Sequence, residues 1–408
     1  MTNHSDVIIA GGGLNGPALA LALAQSGLRV ALIDALPVAT RKDEAFDGRA
    51  YALALASQRL LTAIGVWPGL AGKAQPILGV KASDGAAGEG PGRFFLHFDA
   101  GEIEEGPLGY MIEDRHLRPA LLSAMEKTAG LSVMNAATVT GHEVDAGGTT
   151  VALADGGNLR GRLLVGADGR QSDTARRAGI ARTGRDYGQT ALVCAIVHEK
   201  PHGGIAHQFF MPPGPLAILP LPGNRSSIVW SERHDTAQAI AKLDDEAYLD
   251  VLRPRFGDFL GAISLAGARF SYPLSLTLAN RFVAPRIALI GDAAHGVHPI
   301  AGQGLNLGLR DVGALAEVLV GAHRRGEDLG AIDVLERYQR WRRFDSTALA
   351  LGMDGVNTLF SNDNPLVRTA RGLGMGAVQA LPGLRRRFIR EAAGLSGDLP
   401  RLLAGRPL

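Results

Sequence analysis

The stretch Arg286-Ile-Ala-Leu-Ile-Gly-Asp-Ala-Ala-His-Gly-Val-His-Pro-Ile-Ala-Gly-Gln-Gly-Leu-Asn306, continued by Leu-Gly-Leu-Arg-Asp311, decides the fold. Ile287 to Ile290 are all apolar and predict a buried strand. Gly291 ends it, and Asp292 then offers a carboxylate at the strand's carboxyl end, where open α/β sheets place ligands. A mixture of Gly, Pro and His follows, and Asn306 onward predicts the start of a helix. The free amides of a helix N-terminus form a site for anions and oxygen acceptors. One segment thus presents an acceptor for hydroxyls and then donors for a charged group.

The amino-terminal stretch carries a matching pattern. Asp6 to Ala10 is a short apolar run, and Gly11-Gly-Gly-Leu-Asn-Gly16 follows it with glycines at the G-x-G-x-x-G positions. Gly11 suits the tight turn, Gly13 a close approach to a diphosphate, and Gly16 the packing of helix on strand. Pro17 to Gly27 has helical spacing and a glycine stop. Leu28 to Ile33 predicts a second strand, with Asp34 at its end, where an acid binds ribose hydroxyls. Strand, glycines, helix, strand and acid within about thirty residues form a specific nucleotide-binding signature. A ligand that needs both stretches combines a polyol, a diphosphate and a heteroaromatic ring, which is the composition of FAD.

Chain-wide properties bound this reading. The 408 residues suffice for two or more domains. A net charge of +2 gives no global field for nucleic acid, and aromatics at 5% do not supply a base-stacking platform. The single cysteine, Cys194, excludes an intramolecular disulfide and reads as a small buried strand residue. The first strand follows Met1 within a few residues, so no signal peptide is expected. The longest apolar stretch, Val7 to Ala24, is broken by glycines, Asn15 and Pro17, so no transmembrane helix is expected either. The histidines are scattered and suggest no metal site. No Gly-x-Ser-x-Gly element points to a serine hydrolase.

Residues 1–70 predict β-α-β and a long helix, with Arg49 just ahead of the helical run. Ile112 to about Glu126 predicts a helix, Ser132 to Asp155 a hairpin, and Arg162 to Gly169 another buried strand ending in Asp168 and a glycine. Phe94, Phe95, His97 and Phe98 form a local aromatic cluster. From Thr183 to Arg269, short strand-like runs at Val193–Val197, Gln208–Met211, Leu216–Leu221 and Ser226–Ser231 predict a mostly antiparallel sheet inserted into the nucleotide fold. Asp311–Gly321 and Ile332–Ala350 predict helices. The tail from about Asn364 is rich in Arg, Gly and Leu and contains Arg385-Arg-Arg-Phe-Ile-Arg390.

Three motifs in this order resemble the FAD-dependent aromatic hydroxylases of the p-hydroxybenzoate hydroxylase fold: the glycine turn with Asp34, Gly166-Ala-Asp-Gly-Arg-Gln-Ser172, and Leu289-Ile-Gly-Asp-Ala-Ala-His295. Within that group the chain resembles the ubiquinone-biosynthesis hydroxylases. The supporting residues are Asp47-Gly-Arg-Ala-Tyr-Ala-Leu53, Tyr187-Gly-Gln-Thr-Ala-Leu192, His298-Pro-Ile-Ala-Gly-Gln-Gly-Leu-Asn-Leu-Gly-Leu-Arg-Asp311, Arg337-Tyr-Gln-Arg-Trp-Arg-Arg-Phe-Asp345 and Gly397-Asp-Leu-Pro-Arg-Leu-Leu-Ala-Gly405. The resemblance spans essentially the whole chain and is weakest over 80–105 and 198–260. It implies an α/β fold: a Rossmann-like FAD-binding domain over 1–78, 106–182 and 270–345, an inserted substrate domain over 79–105 and 183–269, and a C-terminal helical region over 346–408.

The resemblance also implies roles. Gly11, Gly13, Leu14, Asn15 and Gly16 would hold the FAD diphosphate, Asp34 the adenosine ribose, and Arg49 and Arg115 would lie near the cofactor. Asp168 and Gly169 would face both FAD and the passing nicotinamide. Gly291 and Asp292 would bind the ribityl or diphosphate region, and Pro299, Gly302, Gln303, Gly304, Leu305 and Asn306 would line the isoalloxazine ring. The implied reaction takes electrons from NAD(P)H, or from a separate reductase, and O2 as co-substrate. It hydroxylates a polyprenylated phenol through a flavin C4a-hydroperoxide. His207, His298 and Tyr187 are candidates for the general base, which stays unassigned, and His295 reads as structural.

Implied partners are the prenylated substrate, proteins of a ubiquinone-biosynthesis complex, a further copy of the chain, and the inner face of the membrane as a peripheral contact of a cytoplasmic protein. The basic tail is the segment that would meet an anionic surface or a partner. Alternatives are hydroxylation of a small soluble aromatic, a simple flavin oxidoreductase without oxygen insertion, and a non-catalytic FAD-bound scaffold.

Overall fold

In a computed structural model of the chain, residues 4–43, 45–84, 95–297, 302–360 and 374–408 are described. The strand β1, His4–Ala10, lies between β2, Val30–Asp34, and the strand Asn158–Gly166, parallel to both. Ile287–Leu289 joins beyond Asn158–Gly166, and Leu131–Asn135 beyond β2, again in parallel. The register explains the uniformly apolar sequence of these strands. Val7 and Ile9 pair with Leu163 and Val165, and with Val30 and Leu32, on one face. That face packs on the helix α1, Asn15–Ala24, and on the helix Gln303–Arg324. Ile8, Ala31, Ile33 and Leu164 point the other way, onto Val151, Leu153 and Leu159. Both faces are covered, as parallel sheets require. Each fully buried Val, Ile or Leu contributes roughly 1.5–3 kcal/mol.

The second sheet has the strand order His295–Gly296, Ile263–Ala279, Arg182–His198, Arg225–Arg233, Gly214–Leu221, Ile205–Met211, Gly79–Asp84, Phe95–Asp99. It is antiparallel except for the parallel pair Ile205–Met211 with Gly79–Asp84. One face has its own core, while Ala195, Ala206 and Leu221 on the other face join the main core. Leu192, Cys194, Ile196, Phe209, Leu216, Ile218, Ile228 and Trp230 face the helices His234–Ala241 and Asp245–Phe256. Two of its strands, Arg182–His198 and Ile263–Ala279, are 17 residues long and run past the expected 183–269 segment back toward the first sheet. A small third sheet pairs Ala50–Ala54 with Gly109–Glu113 and the latter with Gln75–Ile77.

Several local expectations shift. The hairpin is confined to Val139–Asp145 and Gly148–Leu153, because Leu131–Asn135 pairs with β2 instead. The helix after Ala54 ends at Ala63. Gly109–Glu113 is a strand, so the next helix starts at Asp114. The late helices are longer than expected, Gln303–Arg324 and Ile332–Phe360. Phe94 lies outside the described residues.

Candidate active site

Three backbone turns converge at the carboxyl ends of the parallel strands. The first follows β1. Gly11 has φ +115°, and a Cβ there would stand 2.3 Å from the Ala167 carbonyl oxygen. A Cβ on Gly16 would stand 2.0 Å from the Gly11 carbonyl oxygen, so only glycine lets α1 start this close to the strand. A Cβ on Gly13 meets nothing within 4 Å, because that position opens onto the cleft described below. Gly12 has its own constraint: a Cβ would fall 2.1 Å from Asp34 Oδ2.

The second turn follows Asn158–Gly166. Asp168 Oδ1 accepts from the Ser172 hydroxyl at 2.5 Å and Oδ2 from the Thr174 amide at 2.9 Å, while Ser172 Oγ accepts the Ala175 amide. Asp168 therefore shapes the turn, and the backbone of Ala167 and Gly169 is what faces the cleft.

The third turn is Gly291–Ala293. Its Gly291 amide donates to Asp311 Oδ2 at 2.9 Å. The same oxygen accepts from His295 Nε2 at 2.5 Å, and Oδ1 accepts from Arg342 Nε at 2.9 Å. All three side chains are buried. Burial opposes the Asp311 charge, but His295 and Arg342 outweigh it and hold the carboxyl below its usual range. His295 is therefore structural.

Between these turns lies a cleft of about 460 Å³. Its nucleotide side is Gly13, Leu14, Asn15, Gly169, Arg170, Asp292, Gly302, Gly304 and Leu305. Gly302, at φ +63°, is the N-cap of the long helix Gln303–Arg324 and has no side chain with which to cap it. Asn306 fixes that helix start. Its Oδ1 accepts from the Ala54 amide and the Ser57 hydroxyl, both at 2.8 Å, and its Nδ2 donates to the Ala52 and Gly302 carbonyls. The opposite wall is apolar and comes from the second and third sheets: Ala217, Leu219, Val229, Ala50 and Ala52, with Tyr51 and Arg118 as its polar members.

The donor set fits FAD. Asn15 Oδ1 is buried without a hydrogen-bond partner beside the cleft, as an acceptor awaiting a ligand hydroxyl would be. A Cβ at Gly291 or Gly308 would strike Asn15 Nδ2 at 2.4 or 2.2 Å, so both glycines make room for that side chain. Asp292 Oδ2 accepts from Arg170 Nε at 3.2 Å and is partly exposed at the cleft edge.

Other expected residues stand elsewhere. Asp34 pairs with the buried Arg41 at 2.9 Å, and Arg41 also donates to Asn135. Nothing in the sequence singled out Arg41. Arg49 is half-exposed and pairs with Asp47 at 2.6 Å and Asp114 at 3.5 Å. Arg115 turns to Glu113 and Phe46, and it is Arg118, one helical turn on, that reaches the cleft wall. Arg118 donates to Asp114 Oδ1 at 3.0 Å, and the Tyr51 hydroxyl donates to the same oxygen at 2.9 Å. Burial first, and then the Asp114 charge, push the Tyr51 phenol well above its usual value.

The base candidates are dispersed. His207 pairs with Ile218, whereas the cleft faces Ala217 and Leu219, so His207 lies on the other side of the sheet. There its ring sits 4.4 Å from that of Phe259, and burial, with Lys81 and His97 nearby, brings its pKa down to about 4. Tyr187 packs against the Leu276, Val297 and Leu307 group, off the cleft wall. His298 and Pro299 lie outside the described residues.

Fold and cleft together define a flavoprotein of the p-hydroxybenzoate hydroxylase type. The family model described as the FAD binding domain matches residues 4–349, and the chain belongs to that family. Among its relatives, the ubiquinone hydroxylase UbiL of Rhodospirillum rubrum is 46% identical over 407 residues, covering 99% of this chain and 94% of that one. The 3-demethoxyubiquinol 3-hydroxylase of Escherichia coli is 34% identical, covering 97% of this chain and 100% of that one. Among solved structures, p-nitrophenol 4-monooxygenase PnpA from Pseudomonas putida superposes with a TM-score of 0.81 at 20% identity, over 98% of this chain and 100% of that one, which shows the shared fold. The chain is a flavoprotein monooxygenase, and hydroxylases of this family use FAD with NAD(P)H and O2.

Proposed function

We propose that the chain hydroxylates the ring of a polyprenylated phenol in ubiquinone biosynthesis. The carrying observation is the two-sided cleft, with the Gly302 helix start, Asn15 and Asp292 on one side and an apolar wall of Ala217, Leu219 and Val229 on the other. A near full-length relative named as a ubiquinone hydroxylase supports the substrate class. Gly13, Asn15, Gly169, Asp292 and the Gly302–Leu305 turn would hold FAD, which when bound supplies O2 activation and oxygen transfer. Asp34, held by Arg41, is the candidate for the ribose hydroxyls.

The remaining work falls to the side chains. The apolar wall excludes water from the ring and packs on its face. Tyr51 keeps its proton at neutral pH and donates it in a hydrogen bond to Asp114, so it is not a base, and towards a phenol hydroxyl its oxygen can accept a hydrogen bond. Arg118 places a cation on the same wall, where it favours a phenolate over a phenol. No histidine is among the described residues lining the cleft, so this pair replaces His207 and Tyr187 as the candidates for handling the phenol oxygen.

A polyprenylated substrate resides in or beside a bilayer, so the proposed setting is the membrane surface. No helix among the described residues is long and apolar enough to cross a membrane.

The test is mass spectrometry of quinone intermediates in cells lacking the gene, restored with the wild type or with Arg118→Met. Accumulation of a prenylated phenol short of a hydroxyl, relieved by the wild type and with 18O entering from 18O2, is expected. An unchanged quinone pool together with turnover of soluble phenols by the purified protein would replace this reading with a small-aromatic hydroxylase.

A further inference from the structure

The apolar wall of the cleft continues along the second sheet. Ala217 pairs with Val229, Val229 with Val193, and Val193 with Phe270. Residues paired across strands point to the same face, so these four side chains form one row over four neighbouring strands. Three strand steps of about 4.8 Å carry the row roughly 14 Å from Ala217 to Phe270. Tyr272, two residues on, shares that face. Its ring is stacked on that of Phe270, with 6.3 Å between centroids and 16° between planes.

The row is uncovered. Val193 and Val229 stand on interior strands of the sheet, yet both are only half-buried, and Tyr272 is 45% exposed. Neither valine, nor Phe270, nor Tyr272 packs into a hydrophobic core among the described residues. In the opposite direction Ala217 pairs with Gln208, whose polar side chain interrupts the row. An uncovered apolar row that starts in a ligand cleft fits an apolar extension of the ligand. The cleft, at about 460 Å³, lies toward the lower end of the roughly 300–1,000 Å³ usual for ligand sites. It would take a flavin ring and a phenol, so a long tail has to leave it. Ala217, Val229, Val193 and Phe270 offer dispersion contacts and no side-chain hydrogen-bonding group. A dinucleotide would need donors for its diphosphate. The cation beside the row, Arg49, lies 5.9 Å from the Phe270 ring centre and is already paired with Asp47 and Asp114.

We propose that the row Ala217–Val229–Val193–Phe270, with Tyr272 at its outer end, is the subsite for the isoprenoid tail of the substrate. Its length seats roughly the first three isoprene units, and the rest of the tail passes Tyr272 into the surroundings. The subsite deepens the proposed function and rests on it for the substrate, but its test uses ligands without a phenol, so the two readings fail separately.

The experiment titrates the full-length, FAD-loaded protein with prenol, geraniol, farnesol and geranylgeraniol, a series that grows by single isoprene units and has no aromatic ring. Binding is read from flavin absorbance and by calorimetry. Affinity should rise about ten-fold per unit as far as farnesol, a fraction of what full burial of each unit's carbons would give, and little beyond it. Val193→Phe fills the middle of the row with a residue suited to a strand. It should remove the gain from geraniol and farnesol while prenol binding and bound FAD stay as in the wild type. Tyr272→Ser, at an exposed position, should weaken farnesol several-fold and leave geraniol unchanged. Gln208→Phe, on the other side of Ala217, should change nothing. Affinity independent of chain length, or farnesol binding by Val193→Phe equal to that of the wild type, would overturn the proposal. So would loss of the gain in Gln208→Phe instead of Val193→Phe, which would send the tail the other way. Unchanged farnesol affinity in Tyr272→Ser together with a raised KM for NADH would also overturn it, by assigning the outer end to the electron donor. The expected farnesol series without hydroxylation of any prenylated phenol would uphold an isoprenoid subsite and sink the proposed function.

Discussion

Asp311→Ala should be among the most damaging single substitutions in this chain, although Asp311 lies outside the cleft lining. The carboxylate serves three buried donors: the Gly291 amide, His295 Nε2 and Arg342 Nε. Its removal takes the buried carboxylate from the Arg342 guanidinium, whose side chain is 3% exposed. Breaking a buried ion pair from one side costs about 3–5 kcal/mol, and an orphaned buried amide adds about 1–3 kcal/mol. These terms overlap, so an overall loss of about 4 kcal/mol or more is expected, read by urea unfolding followed by far-UV circular dichroism. Asp311→Ala/Arg342→Met should recover much of it, because no uncompensated charge remains. The double variant still lacks the acceptor for Gly291, which precedes Asp292, so its FAD affinity should stay below that of Arg342→Met alone. The carboxyl is depressed in the folded chain, so its contribution is complete above about pH 4 and is lost as pH falls through the folded value. A loss under about 1 kcal/mol in Asp311→Ala, or a double variant no more stable than the single one, would refute the view that this cluster builds the third turn.

Gly308→Ala places a methyl 2.2 Å from Asn15 Nδ2 and should weaken FAD binding, as followed by flavin fluorescence, far more than it lowers the unfolding midpoint. Unchanged affinity would remove Asn15 from the cofactor site. His207 has a folded pKa of about 4 against an ordinary 6.5, so below pH 6.5 the unfolded chain takes up a proton that the folded site refuses. Stability should fall by order 3 kcal/mol between pH 6.5 and 4, at about 1.4 kcal/mol per pH unit. His207→Gln should flatten that slope in urea titrations and leave turnover at pH 7.5 intact. Tyr51→Phe removes the hydrogen bond to Asp114 and the hydroxyl oxygen, an acceptor, from the cleft wall. It should lower kcat with phenol by about ten-fold or more with little effect on FAD affinity; equal kcat would exclude Tyr51 from contact with the substrate.

Much of the nucleotide half of the cleft is legible in the sequence because backbone forms it. Gly11 and Gly16 each sit where a Cβ would overlap a carbonyl, and Gly13 where the surface opens, so the residue type itself reports the geometry. Uniformly apolar strands likewise report a sheet covered on both faces. Arg41 gave no such signal, because an arginine buried against Asp34 looks in sequence like any surface cation. The Gly291–Asp311–Arg342 connection joins residues 20 and 31 positions apart, and only the packing of two helices brings them together.

The substrate half escapes sequence reading for a sharper reason. A strand alternates its side chains, so whether His207 faces the cleft depends on one residue of register against Gly214–Leu221. The pairing of His207 with Ile218 puts it beside Phe259, and a slip by one residue would put it beside Ala217. On the helix Asp114–Glu126 the corresponding ambiguity is angular. Arg115 and Arg118 are both plausible as cations near a ligand, yet the first turns to Glu113 and the second to Asp114, Tyr51 and the cleft. On the proposed reading, the handling of a phenol oxygen would fall to residues chosen by register and helical phase, quantities the three motifs do not encode. The glycine turns would hold FAD in the same way whatever the second sheet presents, so one cofactor site can serve different rings when only the register-dependent wall changes.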